Sequence, residues 1–448
     1  RLENESEKSM PEQNVKWPFL PAQTPTEITH AEGAYLYRKD GKKILDAAGG
    51  AVVANIGHGR PEVADAVRGA LVNASYVIPL WLTPERENLV NELTTHWLPK
   101  HLNRIHLASG GSEANEAAVK IAIQYHASQG NPKRHKILSR SLSYHGTTIT
   151  TAAISGHLSR KKGLESILDT YHQIKTPNPL RCPLGRHHED ATSYYIDDLK
   201  QTIESVGAEN IAALIAEPMN GSSGGAIMAP PGYWAQAQKI LKDNGILLIM
   251  DEVMTGFGRT GDRFGCETFG IEPDLMVAGK GMAGGYAAIA GVYGREEIAD
   301  SISAGDLQVM FHTFGALPQS CAAATCVLEI LRRESLLEKC KSTGITLLNR
   351  LQDQFSQHPL VAEIRGQGML IGIEVVKDRD TLEPFARGED ITNKMMATAM
   401  EAGVFFYPGG TGEYRDILCI GAPYIIGETE IELMANALDK ALADISSK

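Results

Sequence analysis

Little in this sequence suits a membrane, a nucleic acid or an oxidising compartment. Among its 448 residues no apolar run approaches the ~20 needed to cross a bilayer. Positive charge is in deficit, 43 Lys and Arg against 54 Asp and Glu, for a net charge of −11. No basic patch with interleaved aromatics interrupts that balance, which argues against a nucleic-acid partner and against an anionic membrane surface. The six cysteines, at positions 182, 266, 321, 326, 340 and 419, show no paired CxxC spacing. They are too sparse for a disulfide scaffold and read as reduced thiols. The run Cys182-Pro-Leu-Gly-Arg-His187-His188 has metal-ligand residue types, but its Pro and Gly make a polar loop and no second ligand cluster accompanies it, so no metal is expected. The first sixteen residues, RLENESEKSMPEQNVK, lack the apolar core of a signal peptide. The default expectation is a cytoplasmic enzyme of small molecules. Internal repeats and low-complexity tracts are also missing.

What is present is an ordinary globular composition, 43% hydrophobic, in a chain long enough for two or three domains. Short apolar runs, IHLASG, KILSRS, IAALIAEP, LLIMDE, LMVAGK and AAIAGVYG, alternate with longer segments of helical period. That pattern predicts an α/β fold whose large domain is a mostly parallel sheet flanked by helices. From about Cys326 the character changes to a Leu- and charge-rich helical stretch, followed by GQGMLIGIEVV, GVFFYPGG and a last helix. The early segment ITHAEGAYLYRKDGKKILD has the alternation and Asp-Gly turn of a hairpin. The two ends are expected to form a smaller α+β domain together. The resulting organisation is 1–75 as an N-terminal part of the small domain, 76–328 as the large domain and 329–448 as the C-terminal small domain.

Two constellations carry chemistry. The run LLIM delivers Asp251-Glu252, and PDLMVAG delivers Lys280 between two glycines. A carboxylate at an apolar strand end is costly unless a cation partners it, and a protonated pyridine nitrogen is such a cation. A lysine in a dry pocket loses its proton readily and becomes a nucleophile. Together they suit pyridoxal 5'-phosphate, which needs a ring-nitrogen partner and an amine for its aldehyde. The same residues also read as a helix cap and a solvated lysine. In the second constellation, Ser109-Gly110-Gly111-Ser112 leads from a strand-like run into the helical EANEAAVKIAIQYHA. Free amides there, with the Ser112 hydroxyl, would cradle a phosphate; a serine N-cap answered by a glutamate explains the same residues. Tyr144 follows a strand-like run and could lie flat on a planar ring, and Val253 could press its opposite face. Taken alone, each reads first as an ordinary core or turn residue.

The ordered motifs GSEANE (111–116), SYHGTT (143–148), AEPMNGSSGG (216–225), MDEVMTGFGRTG (250–261), PDLMVAGKGMAGG (273–285) and HTFGALP (312–318) resemble those of the class III, or ω-, aminotransferases, a group of fold-type I pyridoxal phosphate enzymes. The match is dense over residues 40–330 and thinner towards the segment CIGAPYIIGETEIELM. The resemblance implies that Lys280 forms the internal aldimine and moves the proton, as the catalytic residue. It further implies that Asp251 pairs with the pyridine nitrogen, that Tyr144 and Val253 hold the ring faces, and that Gly111 and Ser112 bind the phosphate. Glu217 would line the ring's hydroxyl side. Thr313 would reach the phosphate of a neighbouring subunit, which implies a homodimer with shared active sites. The implied reaction moves an amino group from a primary amine or ω-amino acid to a 2-oxo acid such as pyruvate, by a ping-pong route. A racemase, epimerase or aminomutase on the same scaffold is the alternative.

Two departures bear on substrate. Met254 stands where several family members carry a glutamine able to donate to the ring's O3′, and Cys419 stands where many carry a carboxylate-gripping arginine. Arg415, in the loop GGTGEYRD, is the expected replacement, and Trp81 with Tyr76 are expected pocket walls.

Overall fold

The computed structural model describes residues 26–168 and 171–446. Residues 1–25, the opening of the expected N-terminal segment, lie outside the described residues.

Three sheets organise these residues. The first contains β1 (Ile28–Glu32), β2 (Tyr35–Arg38) and β3 (Lys43–Asp46), an antiparallel meander whose second connection turns at Asp40-Gly41. Gly41 sits at φ +84, a left-handed conformation that a side chain resists.

The central sheet contains β4 (Arg104–Ala108), β5 (Lys136–Arg140), β6 (His172–Ile174), β7 (Ile211–Ala216), β8 (Leu247–Asp251), β9 (Leu275–Ala278) and β10 (Ala290–Gly294), in the order β4-β10-β9-β8-β7-β5-β6. Strands β5 to β9 run parallel, as the apolar runs predict. Such strands read as continuous apolar stretches because both faces are covered. Along β8, Leu247 and Ile249 enter one core while Leu248 and Met250 enter the other. One core is closed by the helix Gly111–Ser128, whose Ala114, Ala117, Ala118, Ile121 and Ala122 recur at helical spacing. The other is closed by the helices Ala191–Val206, Tyr233–Asp243 and Pro318–Arg333.

Two features of this sheet differ from the sequence-based expectation. Strand β10 runs antiparallel to both β9 and β4. Residues 279–289 are too short to carry a crossover helix, so the chain returns directly, as only antiparallel neighbours allow. Strand β6, with just three residues, was too short to show a period.

The third sheet is antiparallel, ordered β11 (Val361–Gln367), β12 (Leu370–Val375), β15 (Tyr414–Ile420), β14 (Tyr407–Thr411). It carries the helices Leu336–Phe355, Ile391–Glu401 and Glu428–Ser446. Between them β13 (Val404–Phe405) leaves this unit and pairs in parallel with β3, Val404 opposite Leu45. The hydroxyl of Tyr35 donates to Glu430 on the last helix at 2.6 Å. The two chain ends therefore build one smaller α+β unit beside the large sheet. No helix among the described residues is long and apolar enough to cross a membrane.

Candidate active site

The carboxyl ends of β4, β5, β7, β8 and β9 open on one side of the central sheet, where ligands of such sheets bind. A cavity of about 270 Å³ lies there. Its lining includes Gly111 and Ser112 after β4, Tyr144 after β5, Glu217 after β7, Asp251 and Val253 at the end of β8, and Lys280 after β9.

Asp251 is only 4% exposed. Its Oδ1 accepts the Val253 amide at 3.0 Å, and its Oδ2 accepts Asn115 Nδ2 at 2.9 Å and His145 Nδ1 at 2.8 Å. Nδ1 is the ring nitrogen placed to donate to this carboxylate. The other ring nitrogen, Nε2, is buried without a partner. Asn115 also donates to the His145 carbonyl at 2.8 Å, so three residues from the helix, the β5 loop and the turn after β8 lock one carboxylate in place. Such a carboxylate is fixed before any ligand arrives and cannot swing away from it.

Glu217 sits beside this group, buried, with Oε1 accepting the Gly221 amide at 3.1 Å. Burial, with Asp251 adding to it, pushes its carboxyl up to about 7 against the opposing pull of His145, the Gly221 amide and Arg140. Lys280 is half-buried and opens the short turn Lys280–Met282 at φ +37, an unusual backbone for a residue with a side chain. The turn is held by Asn55, whose Nδ2 donates to the Gly281 carbonyl at 2.7 Å. Desolvation draws the Lys280 amine down to about 8, with Arg259 and Arg160 adding to the effect and Asp251 and Glu217 opposing it. The amine thus releases its proton far more readily than a solvated lysine.

The helix Gly111–Ser128 begins at Gly110 without a side-chain cap. Glu113 instead reaches back to Ser109, accepting its amide at 3.0 Å and its hydroxyl at 2.6 Å, which leaves the next amides of the helix start for another acceptor. Ser112 Oγ accepts the Thr147 amide at 3.1 Å. This contact depends on Gly146, at φ +143, where an added Cβ would lie 2.5 Å from Ser112 Oγ. A Cβ on Gly111 would meet Val253 at 3.0 Å. Uncapped amides, a hydroxyl and the helix dipole make a phosphate-sized anion site.

The remaining expected residues lie elsewhere. Trp81 is 69% exposed in a run with Leu80 and Leu82, and Thr313 is exposed on the segment that carries Met310 and Phe314. Neither lines the cavity of this chain. Arg415 is not among the residues that line it either. Its guanidinium folds back to donate to the carbonyls of Phe385 and of Gly412, the latter at 3.4 Å, with the Glu413 and Asp416 carboxylates at 3.9 Å. A cation so engaged has little reason to leave its own loop. Cys419 is fully buried in β15, and Met254 lines the cavity. His187 pairs with Glu363 at 2.8 Å, and Cys182 is a buried free thiol. Asn115 and His145 were not singled out from the sequence. The signal for Asn115 was its place three residues after Ser112 on the same helix, which puts both on one face.

A profile described as "Aminotransferase class-III" matches residues 21–442. A taurine–pyruvate aminotransferase of Bilophila wadsworthia is 33% identical over 441 residues, which cover 95% of this chain and 93% of that protein. The crystal structure of an (S)-enantioselective omega-transaminase from Thermomicrobium roseum superposes with a TM-score of 0.89 at 32% identity, covering 97% of this chain and 96% of that one. An amine transaminase from an uncultivated Pseudomonas species, determined in its PLP-bound form, superposes with a TM-score of 0.90 at 31% identity over 97% and 99% of the two chains.

Proposed function

This chain belongs to the class III aminotransferases, and from that premise we propose that it moves an amino group from a primary amine or ω-amino acid to a 2-oxo acid such as pyruvate, using pyridoxal phosphate held in the cavity. The observation that carries the reading is the meeting, in one cavity, of a lysine with a lowered pKa, an aspartate held by three donors and an uncapped helix start. Those groups match the aldehyde, the ring nitrogen and the phosphate of that cofactor.

Bound there, pyridoxal phosphate supplies an aldehyde carbon that condenses with amines and a ring that takes up an electron pair. The helix-start amides at Gly111 and Ser112, with the Ser112 hydroxyl, would hold the phosphate. Asp251 would keep a proton on the ring nitrogen, because a fixed carboxylate in a dry site favours a cation beside it. Asn115 and His145 prevent Asp251 from turning towards solvent. Tyr144 and Val253 would confine the ring between them, and Glu217 would border its hydroxyl side. Lys280 Nζ would take the proton from the amine-bearing carbon of the donor and return a proton on the way to product. The acceptor would use the same cavity after the first product leaves, which is a ping-pong order.

The site is proposed to be completed by a second copy of the chain, with Thr313 reaching the partner's phosphate. The exposed apolar residues Leu80, Trp81, Leu82 and Phe314 support this, since a monomer rarely leaves such a set in water.

The test is incubation of the purified protein, supplied with pyridoxal phosphate, with a panel of amines and ω-amino acids in the presence of pyruvate. The expected result is donor-dependent formation of alanine, with parallel double-reciprocal plots. No alanine, together with loss of stereochemistry in a chiral donor, would replace amino transfer by the isomerase alternative.

A further inference from the structure

A site that receives a 2-oxo acid needs a cation for the acid group, and the arginines around this cavity can be sorted by what already occupies them. Arg259 is buried and donates to the carbonyls of Gly421, Ala422 and Ala54. Arg365 is buried against Glu374 at 2.8 Å and Glu363 at 2.9 Å. Arg140 is buried and bonded to the Glu217 carbonyl at 3.0 Å. Arg415 is engaged within its own loop.

Arg160 differs from all four. Its side chain is exposed, and its guanidinium lies 4.6 Å from the ring centroid of Tyr144, a wall of the cavity. No carboxylate or carbonyl among the described residues is bonded to that guanidinium. A cation–π contact uses the charge of a guanidinium and leaves its fork of N–H donors for an oxyanion.

The backbone beneath it is fixed. The Arg160 amide donates to the His157 carbonyl at 3.1 Å, and Lys161 Nζ donates to the Ala153 carbonyl at 2.8 Å. The neighbouring His157 packs edge-on to Tyr144, its ring centroid 6.1 Å away. Burial, then the charge of Arg160, holds that imidazole down to about 4, so it is neutral near pH 7 and does not compete as a cation. Arg160 is also close enough to help lower the Lys280 amine, which ties its charge electrostatically to the reacting group.

We propose that Arg160, resting on the Tyr144 ring, is the residue that grips the acidic group of the substrate, namely the carboxylate of the 2-oxo acid and the terminal carboxylate or sulfonate of an acidic amine donor. The proposal rests on the amino-transfer reading and adds to it the residue that selects acidic substrates. In this chain the acid-binding charge then comes from the short helical turn Leu158–Arg160, and Cys419 and Arg415 need not supply it.

The test compares the wild-type holoenzyme with Arg160→Gln and Arg160→Lys. Three quantities are measured for each: KM for pyruvate, KM for an amine donor without an acid group, and the Kd of propanoate, a non-reacting carboxylate, by calorimetry. For Arg160→Gln, KM for pyruvate and Kd for propanoate are expected to rise on the order of tenfold or more, and KM for the acid-free donor much less. Arg160→Lys, which keeps the charge and loses the fork, should fall between. Equal changes for acidic and acid-free substrates, or no change in propanoate binding, would overturn the proposal. A wild-type protein that forms no alanine, yet loses propanoate affinity on Arg160→Gln, would sustain the anion site and overturn the amino-transfer reading instead.

Discussion

Two titrating groups set the behaviour of single residues here. Lys280 must be neutral to attack an aldehyde, and its amine lies at about 8. Uptake of pyridoxal phosphate by the cofactor-free protein, followed by the change in the cofactor's absorbance, should therefore quicken as pH rises through about 8, and a rate that is flat between 7 and 9 would contradict that role. Replacing Lys280 by Ala should lower alanine formation by at least about 10³-fold while circular dichroism stays native. Glu217 supplies a stability test. Its folded pKa of about 7 lies above the ordinary 4.5, so the folded state binds the extra proton and stability falls as pH rises from about 4.5 through 7. In Glu217→Gln, which cannot ionise, this part of the decline should disappear; urea midpoints of cofactor-free wild type and variant, measured from pH 4.5 to 8, check it. That Asp251 and Lys280 would meet in one cavity was legible because an acidic pair and a lone lysine ended neighbouring apolar runs. The placement of Arg415 was not legible, for a physical reason. Its residue type suited the role, but one of its partners, the Phe385 carbonyl, comes from thirty residues away in sequence. Arg160 passed unnoticed because nothing local in LSRKK marks one basic residue as lying on an aromatic ring.

At the scale of elements, the start of the helix Gly111–Ser128 is the most demanding piece of construction. It works only if the β5 loop touches it, and Gly146 permits that contact. Gly146→Ala would put a methyl 2.5 Å from both Ser112 Oγ and Thr151 Oγ1, so either the loop or the helix start must move. We expect at least a tenfold weaker affinity for pyridoxal phosphate, read by fluorescence titration of the cofactor-free protein, with secondary structure retained. Strand identity was readable where both faces of a strand are buried, as in IAALIA and LLIMD, each wholly buried. Direction was not readable for β10. Its sequence AGVYG is as apolar as its parallel neighbours, and only the shortness of the connection before it sets its sense.

Across the whole molecule, the exposed run Leu80, Trp81 and Leu82, at 74%, 69% and 72%, lies outside the cavity of its own chain. In the proposed dimer that surface is covered. Light scattering should give twice the 48.5 kDa chain mass. Leu80→Glu, which places a charge in that surface, should shift the protein towards monomer and lower activity although Lys280 is untouched. That a smaller α+β unit stands beside the large sheet was legible from the change in composition towards the end of the chain. The pairing that joins the two chain ends was not, because β13 has only two residues.

That pairing sets an order of events during synthesis. The edge of β3 that receives Val404 opposite Leu45 leaves the ribosome with most of the chain still untranslated. At ~5–20 residues per second it stays unpaired for tens of seconds. The nascent N-terminal sheet must therefore wait, edge open, for its last strand, and it is the segment on which a chaperone would have most to protect.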